Sequence, residues 1–284
     1  MTPPLRPAIL GLGIIGQRVA ASLRAKGFAP SVWNRTPCPD EAGWLKSPEA
    51  AAKACDVLQF FVTDGPALLG LLKTMLPELG PGKIVVNSST ISLADIHAAN
   101  AMVTESGAAF LDAPFTGSKE AAAAGQLVYY VAGDPEVLEK VRPVLEASSK
   151  DILFTGEMGN ATILKIATNM VSATIVGILS EAMGVTAAQG IPLSLFQAAL
   201  ERNGAASGVS KLKVPSMIAG DFSPHFSLKN MLKDASYGLQ IAGESGLQLP
   251  ILGVVAEAMA EMTSNGHGDE DFSVMASIYL KNRP

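Results

Sequence analysis

The chain has 284 residues, 48% of them hydrophobic and 17% charged, and its 21 Lys and Arg against 26 Asp and Glu leave a net charge of −5. That length suits about two domains, the composition excludes disorder, and the acidic balance argues against nucleic acid or an anionic membrane as partner, since both select a basic surface. Small molecules are the expected partners, and two cysteines, Cys38 and Cys55, are too few for a disulfide framework or a four-ligand zinc site, so the expected compartment is a reducing cytoplasm.

The first residues lead straight into a short apolar run without the basic and long apolar regions of a signal peptide, so no export signal is read. Strand-like runs rich in β-branched and aromatic residues follow at Ala8–Leu10, Ser31–Trp33, Val57–Val62, Ile84–Asn87, Ala109–Leu111, Leu127–Ala132 and Ile152–Phe154. Helical spacing separates most of them, at Ile14–Lys26, Pro66–Met75, Leu93–Ser106 and Pro135–Ala147. This alternation predicts an α/β fold over residues 1–158, a Rossmann-type doubly wound parallel sheet with helices on both faces. After Gly159 it stops. Ala161–Gln189 reads as one long helix, followed by Leu193–Arg202, a Gly/Ser-rich break at Asn203–Ser210, and helices near Ser227–Gly243 and Val254–Ser264. Residues 159–284 are therefore predicted to be an all-helical C-terminal domain, connected through the long helix. Asn169, Ser172 and Glu181 interrupt that helix's apolar run, which favours a core helix over a membrane span.

Gly11-Leu12-Gly13-Ile14-Ile15-Gly16 follows the first strand and opens a helix. There GxGxxG assigns a tight turn to Gly11, close approach of backbone to a pyrophosphate to Gly13, and close helix packing to Gly16, with free N–H groups at the helix start for phosphate. A plain glycine-rich turn is the alternative; the alternating context favours a dinucleotide. NAD sites put an acidic residue at the end of the second strand, but no acid occurs before Asp40. Asn34, Arg35 and Thr36 stand there, and the Arg35 guanidinium suits a 2′-phosphate, which favours NADP(H) over an exposed turn with a solvated arginine. Val62, Thr63 and Thr90 fall at strand ends where such a fold holds its cofactor. Thr116, Gly117 and Ser118 combine two hydroxyls with glycine-permitted N–H groups, a nest for a substrate carboxylate or else a simple turn. Lys165, Asn169 and Ser172 share one stripe of the long helix, where a lysine snorkelling to solvent is an equally good reading of the residues alone. His97, His225 and His267 are scattered, and no metal-ligand cluster is read.

Four segments, in this order, resemble the β-hydroxyacid dehydrogenase family: the glycine loop with Val32–Thr36; Asp112–Ser118 followed by Gly125–Leu127 and Gly133-Asp134; Gly156–Gly159 through Lys165–Asn169; and Lys229–Asp234. The resemblance covers essentially the whole chain. Gly117-Ser118-Lys119 with Gly125-Gln126-Leu127 is similar to the glyoxylate and succinic semialdehyde reductase branch, whereas the hydroxyisobutyrate branch has a second glycine where Ser118 stands. Glu120–Ala124 and the bulky Tyr129-Tyr130 depart from that branch, which bears on the substrate rather than the reaction.

The resemblance implies NADPH-dependent reduction of short aldehyde acids to hydroxy acids, with the substrate between the two domains at Thr116, Gly117, Ser118 and Asn169. It implies that Lys165 gives its proton to the carbonyl oxygen as hydride arrives, and that Asn169 orients the ammonium or the substrate. Lys233 would add positive charge near the nicotinamide and Asp234 would fix a loop or a lysine; read without the resemblance, the two are a solvated helical face. Pairing of helical domains in a homodimer or homotetramer is implied too. A 3-hydroxyisobutyrate-type or tartronate semialdehyde dehydrogenase and an imine reductase are alternatives on the same scaffold, Lys165 counting against the last. A non-catalytic NADP-binding assembly or sensing module is the alternative of another class, and it would be expected to lose the lysine.

Overall fold

The structure, a computed structural model, describes residues 5–280. Two compact units divide the chain after Lys165. The first runs β1 (Pro7–Leu10), α1 (Gly16–Ala25), β2 (Ser31–Trp33), α2 (Pro48–Ala54), β3 (Val57–Phe60), α3 (Gly65–Met75), β4 (Ile84–Asn87), α4 (Leu93–Glu105), β5 (Ala109–Asp112), β6 (Phe115–Thr116), α5 (Lys119–Ala123), β7 (Leu127–Gly133), α6 (Pro135–Glu146) and β8 (Ser149–Gly156). In the sheet the order is β2-β1-β3-β4-β5-β7-β6, with β8 also on β7.

β1, β3 and β4 are buried along their whole length, as expected of parallel strands covered on both faces. Alternate residues feed two cores: Ile9, Val57, Val86 and Leu111 pack with Val19, Leu23, Leu138 and Val141, while Leu10, Leu58, Val85 and Phe110 pack with Leu68, Leu72, Ile96 and Val103. Register then places the strand ends in one row. Trp33 pairs with Leu10, Leu10 with Phe60, Phe60 with Asn87, and Asn87 with Asp112. Everything that follows these residues emerges along the same edge of the sheet, the edge at which open α/β sheets bind ligands.

The expected all-parallel sheet is corrected at one end. β7 is antiparallel to β5 and β6, and parallel to β8. Between β5 and β7 the only helix is the five-residue α5, about 7.5 Å long, too short to carry the chain back along a seven-residue strand of about 23 Å. The chain turns instead, and β7 runs the opposite way. β3 also ends earlier than its apolar run, because Ser89 Oγ accepts the Val62 N–H at 2.7 Å and draws the chain out of the sheet.

The long helix is α7 (Asn160–Ala188), which crosses the division between the units. In the second unit come α8 (Leu193–Glu201), α9 (Gly208–Ala219), α10 (Leu228–Glu244), α11 (Pro250–Met262) and, after two closing turns, α12 (Ser277–Leu280). Long and apolar enough by composition to cross a bilayer, α7 buries one side within this unit: Ala173 and Val176 meet Met231, Met259 and Phe272, and Leu179 and Met183 meet Val214 and Met217. α9 begins inside the expected break. Ser207 and Ser210 form a reciprocal capping box there, so the Gly/Ser-rich composition marks a helix start as well as a loop.

Candidate active site

Each glycine of the loop after β1 has a separate geometric reason. Gly11 has φ +104°, and a Cβ on it would lie 2.1 Å from the Phe61 carbonyl oxygen; one on Gly16 would lie 1.9 Å from the Gly11 oxygen. Gly13 is different. A Cβ there would meet nothing within 4 Å, so its backbone is open to an approaching group. Gly11 N–H donates to Trp33 O at 2.8 Å, and Leu12 N–H to Asn34 Oδ1 at 3.1 Å. Among the described residues, no hydrogen bond takes the N–H groups of Gly13, Ile14 and Ile15. Open space beside three unbonded donors at the start of α1 fits a pyrophosphate. Leu12 remains part of the loop, but its N–H faces Asn34.

Asn34 therefore has a task beyond that of a ribose-side ligand. Its Nδ2 donates to Thr36 O at 3.1 Å, so one amide ties the glycine loop to the turn that carries Arg35 and Thr36, both exposed. Val62 is half-buried, Thr63 is exposed with its hydroxyl on Asp64 at 3.1 Å, and Thr90 is half-buried. Ser89 laces the ends of β3 and β4, and Asn87 brackets Ser89 through both its N–H and its carbonyl.

At the end of β5, Asp112 is fully buried and accepts from Thr162 N–H and Thr162 Oγ1–H, each at 3.0 Å. Burial pushes its carboxyl up to about 7 against the opposing pull of the Thr162 bonds. Four residues on, Thr116 is held in β6 opposite Val128. Gly117 has φ +136°, and a Cβ would crowd Leu127 Cδ2 at 2.9 Å. Ser118 caps α5, its Oγ accepting from Ala121 N–H at 3.2 Å, so towards a ligand this hydroxyl acts as a donor.

Lys165 is half-buried on the second turn of α7 and is, with Glu181, one of two ionisable side chains on that helix. Asn169 is buried one turn later, and its Nδ2 donates to Asp234 Oδ2 at 2.6 Å. Asp234 also faces Lys233 Nζ at 3.2 Å across its other oxygen. Asp234 is completely buried, which overturns the reading of Lys233–Asp234 as a solvated face. Lys233 is partly covered and lies 5.2 Å from the Tyr237 ring centroid. Ser172, the third member of the predicted stripe, bonds back to Thr168 O at 3.2 Å and so serves its own helix.

Tyr129 is a core residue. It is fully buried in the first unit, with its hydroxyl 3.2 Å from Gln59 Nε2 and 3.0 Å from Ser148 Oγ. Among the described residues, no group of three or more His, Cys, Asp or Glu is placed to hold a metal ion.

Residues 6–159 match the family model of the NAD-binding domain of 6-phosphogluconate dehydrogenase, and residues 159–279 match that of the NAD-binding region of NADP-dependent 3-hydroxyisobutyrate dehydrogenase. The chain belongs to the β-hydroxyacid dehydrogenase family. It is an NAD(P)-dependent oxidoreductase of that family. Among curated proteins, this dehydrogenase is similar to glyoxylate/succinic semialdehyde reductase 1 of Arabidopsis thaliana, with 29% identity over 94% of this chain and 95% of that one. Among solved structures it resembles 3-hydroxyisobutyrate dehydrogenase of Mycobacterium tuberculosis with L-serine, with 25% identity, a TM-score of 0.88, and 96% and 98% of the two chains covered. It shares its fold with an imine reductase of Streptomyces aurantiacus, at 21% identity, a TM-score of 0.64, and 96% and 99% covered.

Proposed function

We propose that this β-hydroxyacid dehydrogenase reduces short aldehyde acids of the glyoxylate and succinic semialdehyde type to hydroxy acids, with NADPH as the preferred cofactor. The observation that carries the reading is Lys165, a half-buried cation in a helix otherwise free of ionisable side chains up to Glu181. Burial penalises such a charge, so its retention points to use. When bound, the cofactor supplies the hydride. Lys165 gives a proton to the carbonyl oxygen as negative charge develops there. Asp234 fixes the Asn169 amide by accepting from its Nδ2, which sets the direction in which the Asn169 oxygen can hold an ammonium or a hydroxyl. Thr116, Gly117 and Ser118 donate to the substrate carboxylate. The similarity to the Arabidopsis reductase supports this substrate class.

The carboxylate requirement is tested by comparing kcat/KM for succinic semialdehyde with that for butanal. Charge-assisted hydrogen bonds contribute about 1.5–3 kcal/mol each, and the half-exposed nest lowers the total, so a preference of at least about 10-fold is expected. Equal values would remove the nest.

The NADPH preference rests on Arg35 and Thr36 in place of an acid. Arg35→Ala should raise the Kd of NADPH about 10-fold or more and leave that of NADH within about threefold, because only the former has a 2′-phosphate to lose. Fluorescence titration with both cofactors measures this, and equal losses would contradict it. A second copy of this chain is the proposed partner. Leu164, Val171, Ile178 and Val185 recur every seven residues on α7 and are 43%, 59%, 58% and 67% exposed, a stripe that an identical stripe complements.

A further inference from the structure

We propose that Asp112 is a positioning residue for Lys165: by capping the first turn of α7 from the end of β5, it sets where the lysine stands. The inference rests on the reading of Lys165 as proton donor and concerns a buried group to which neither cofactor nor substrate has been assigned.

Most helices of the first unit satisfy their first turns locally. Ser47, Asp64, Ser92, Ser118 and Asp134 each accept an N–H two or three residues ahead, at the starts of α2, α3, α4, α5 and α6. α7 cannot do so. The residue before it is Gly159, and a side chain there would meet Leu93 Cδ1 at 2.5 Å. Its cap comes from Asp112, 50 residues earlier, through both the N–H and the hydroxyl of Thr162. A local cap steadies a helix. A cap from a strand end also fixes the helix against the sheet.

Burying a carboxylate is costly, and at Asp112 burial does push the carboxyl up. Favourable placement at a helix N-terminus and two direct hydrogen bonds offset that cost in part. Lys165 lies three residues beyond Thr162, on the same face and about 4.5 Å further along the axis. The chain that leaves Asp112 in the other direction reaches Thr116 four residues on. One carboxylate thus anchors the start of the lysine helix and the strand that leads into the carboxylate nest. Misplacing a reacting group by about 1 Å can cost about 100-fold in rate.

The test is single-turnover hydride transfer from NADPH to succinic semialdehyde in Thr162→Val, Thr162→Ser and Asp112→Asn, with Lys165→Ala measured beside them. Thr162→Val keeps the shape and β-branching of threonine, so it guards against a variant that simply fails to fold. Expected are a rate constant about 10–100-fold lower for Thr162→Val and Asp112→Asn, recovery to within about threefold for Thr162→Ser, and KM for the aldehyde and Kd for NADPH within about threefold throughout. Loss of folded protein alone would lower the amplitude and leave the rate constant unchanged. Folded Thr162→Val and Asp112→Asn enzymes that react within about threefold of wild type, beside an inactive Lys165→Ala, overturn the positioning role alone. A Lys165→Ala enzyme that reacts at the wild-type rate overturns the proton-donor reading, and this inference with it.

Discussion

Lys165→Ala should lower single-turnover hydride transfer by about 10²–10⁴-fold, the usual range for a lost general acid and equivalent to roughly 3–5 kcal/mol of barrier. NADPH affinity should stay within about threefold, because the open N–H groups that suit the phosphates lie in the loop after β1 and Arg35, the residue proposed for the 2′-phosphate, lies after β2. Lys165→Arg is the sharper variant. It keeps the positive charge, but a guanidinium holds its proton too tightly to transfer and its planar head is wider than an ammonium. Arginine should therefore be nearly as slow as alanine. A rate within about threefold of wild type for either variant, with enzyme pre-loaded with NADPH, would remove Lys165 from proton transfer.

Asp271→Ala is expected to destabilise the second unit by about 3–5 kcal/mol, the range for breaking a buried ion pair from one side. Asp271 and Lys213 have side chains only 3% and 6% exposed. Lys213 Nζ donates to both carboxylate oxygens, at 2.7 and 2.8 Å, and lies 4.6 Å from the Phe272 ring centroid. The N–H groups of His225, Phe226 and Ser273 and the Ser273 hydroxyl converge on the same carboxylate. Removing Asp271 strands all of these donors and an ammonium, whereas Lys213→Met keeps most of the stem and leaves the carboxylate with its backbone partners. Asp271→Ala should therefore be the more damaging change. Urea unfolding followed by circular dichroism ranks the two, and the reverse order would contradict the argument.

The pH sense follows from the net shift. Burial pushes the Asp271 carboxyl up, but the Lys213 bonds and charge outweigh burial and hold it below the usual carboxylate range. Its contribution is present above the unfolded value of about 3.9 and is lost as pH falls through the lower folded value. The difference between wild type and Asp271→Ala should narrow in acid. Asp112 has the opposite sign: raised to about 7, it contributes fully below about 3.9 and loses that contribution as pH rises towards 7.

Most of the row of strand ends was legible in the sequence because strands buried on both faces are short apolar runs that stop at a glycine or a polar residue, as at Gly11, Asn34, Asn87 and Asp112; β3 is the exception, its apolar run continuing past Phe60 to Val62. Gly11, Gly13 and Gly16 could be assigned separate roles for the same reason, since the motif's context fixes which atoms come close. The direction of β7 was not legible. An apolar alternation looks the same in a parallel and an antiparallel strand, and only the shortness of α5 distinguishes them. α9 was hidden by Pro215 and by the Gly/Ser content of its first turn. Tyr129 carries a readable core signal: Leu127, Tyr129 and Val131 alternate on one face of the strand and are all buried. The bonds from Thr162 to Asp112 and from Asn169 to Asp234 join residues 50 and 65 positions apart, and no local pattern announces such a pair.

Asn34 has a bearing on how readily cofactor choice can change. Its oxygen holds Leu12 N–H and its Nδ2 holds Thr36 O. An aspartate at 34 would preserve the first bond through one oxygen and turn the other, an acceptor of ribose hydroxyls, towards the position that NAD enzymes fill with an acid. It would also set a negative charge against Thr36 O, loosening the turn that presents Arg35. A single amide-to-acid exchange should therefore act twice in the same direction, adding one ribose contact while weakening the hold proposed for Arg35 on a 2′-phosphate. On the proposed reading, a change at one side-chain atom of residue 34 shifts the preference between the two cofactors and leaves the glycine loop as it is.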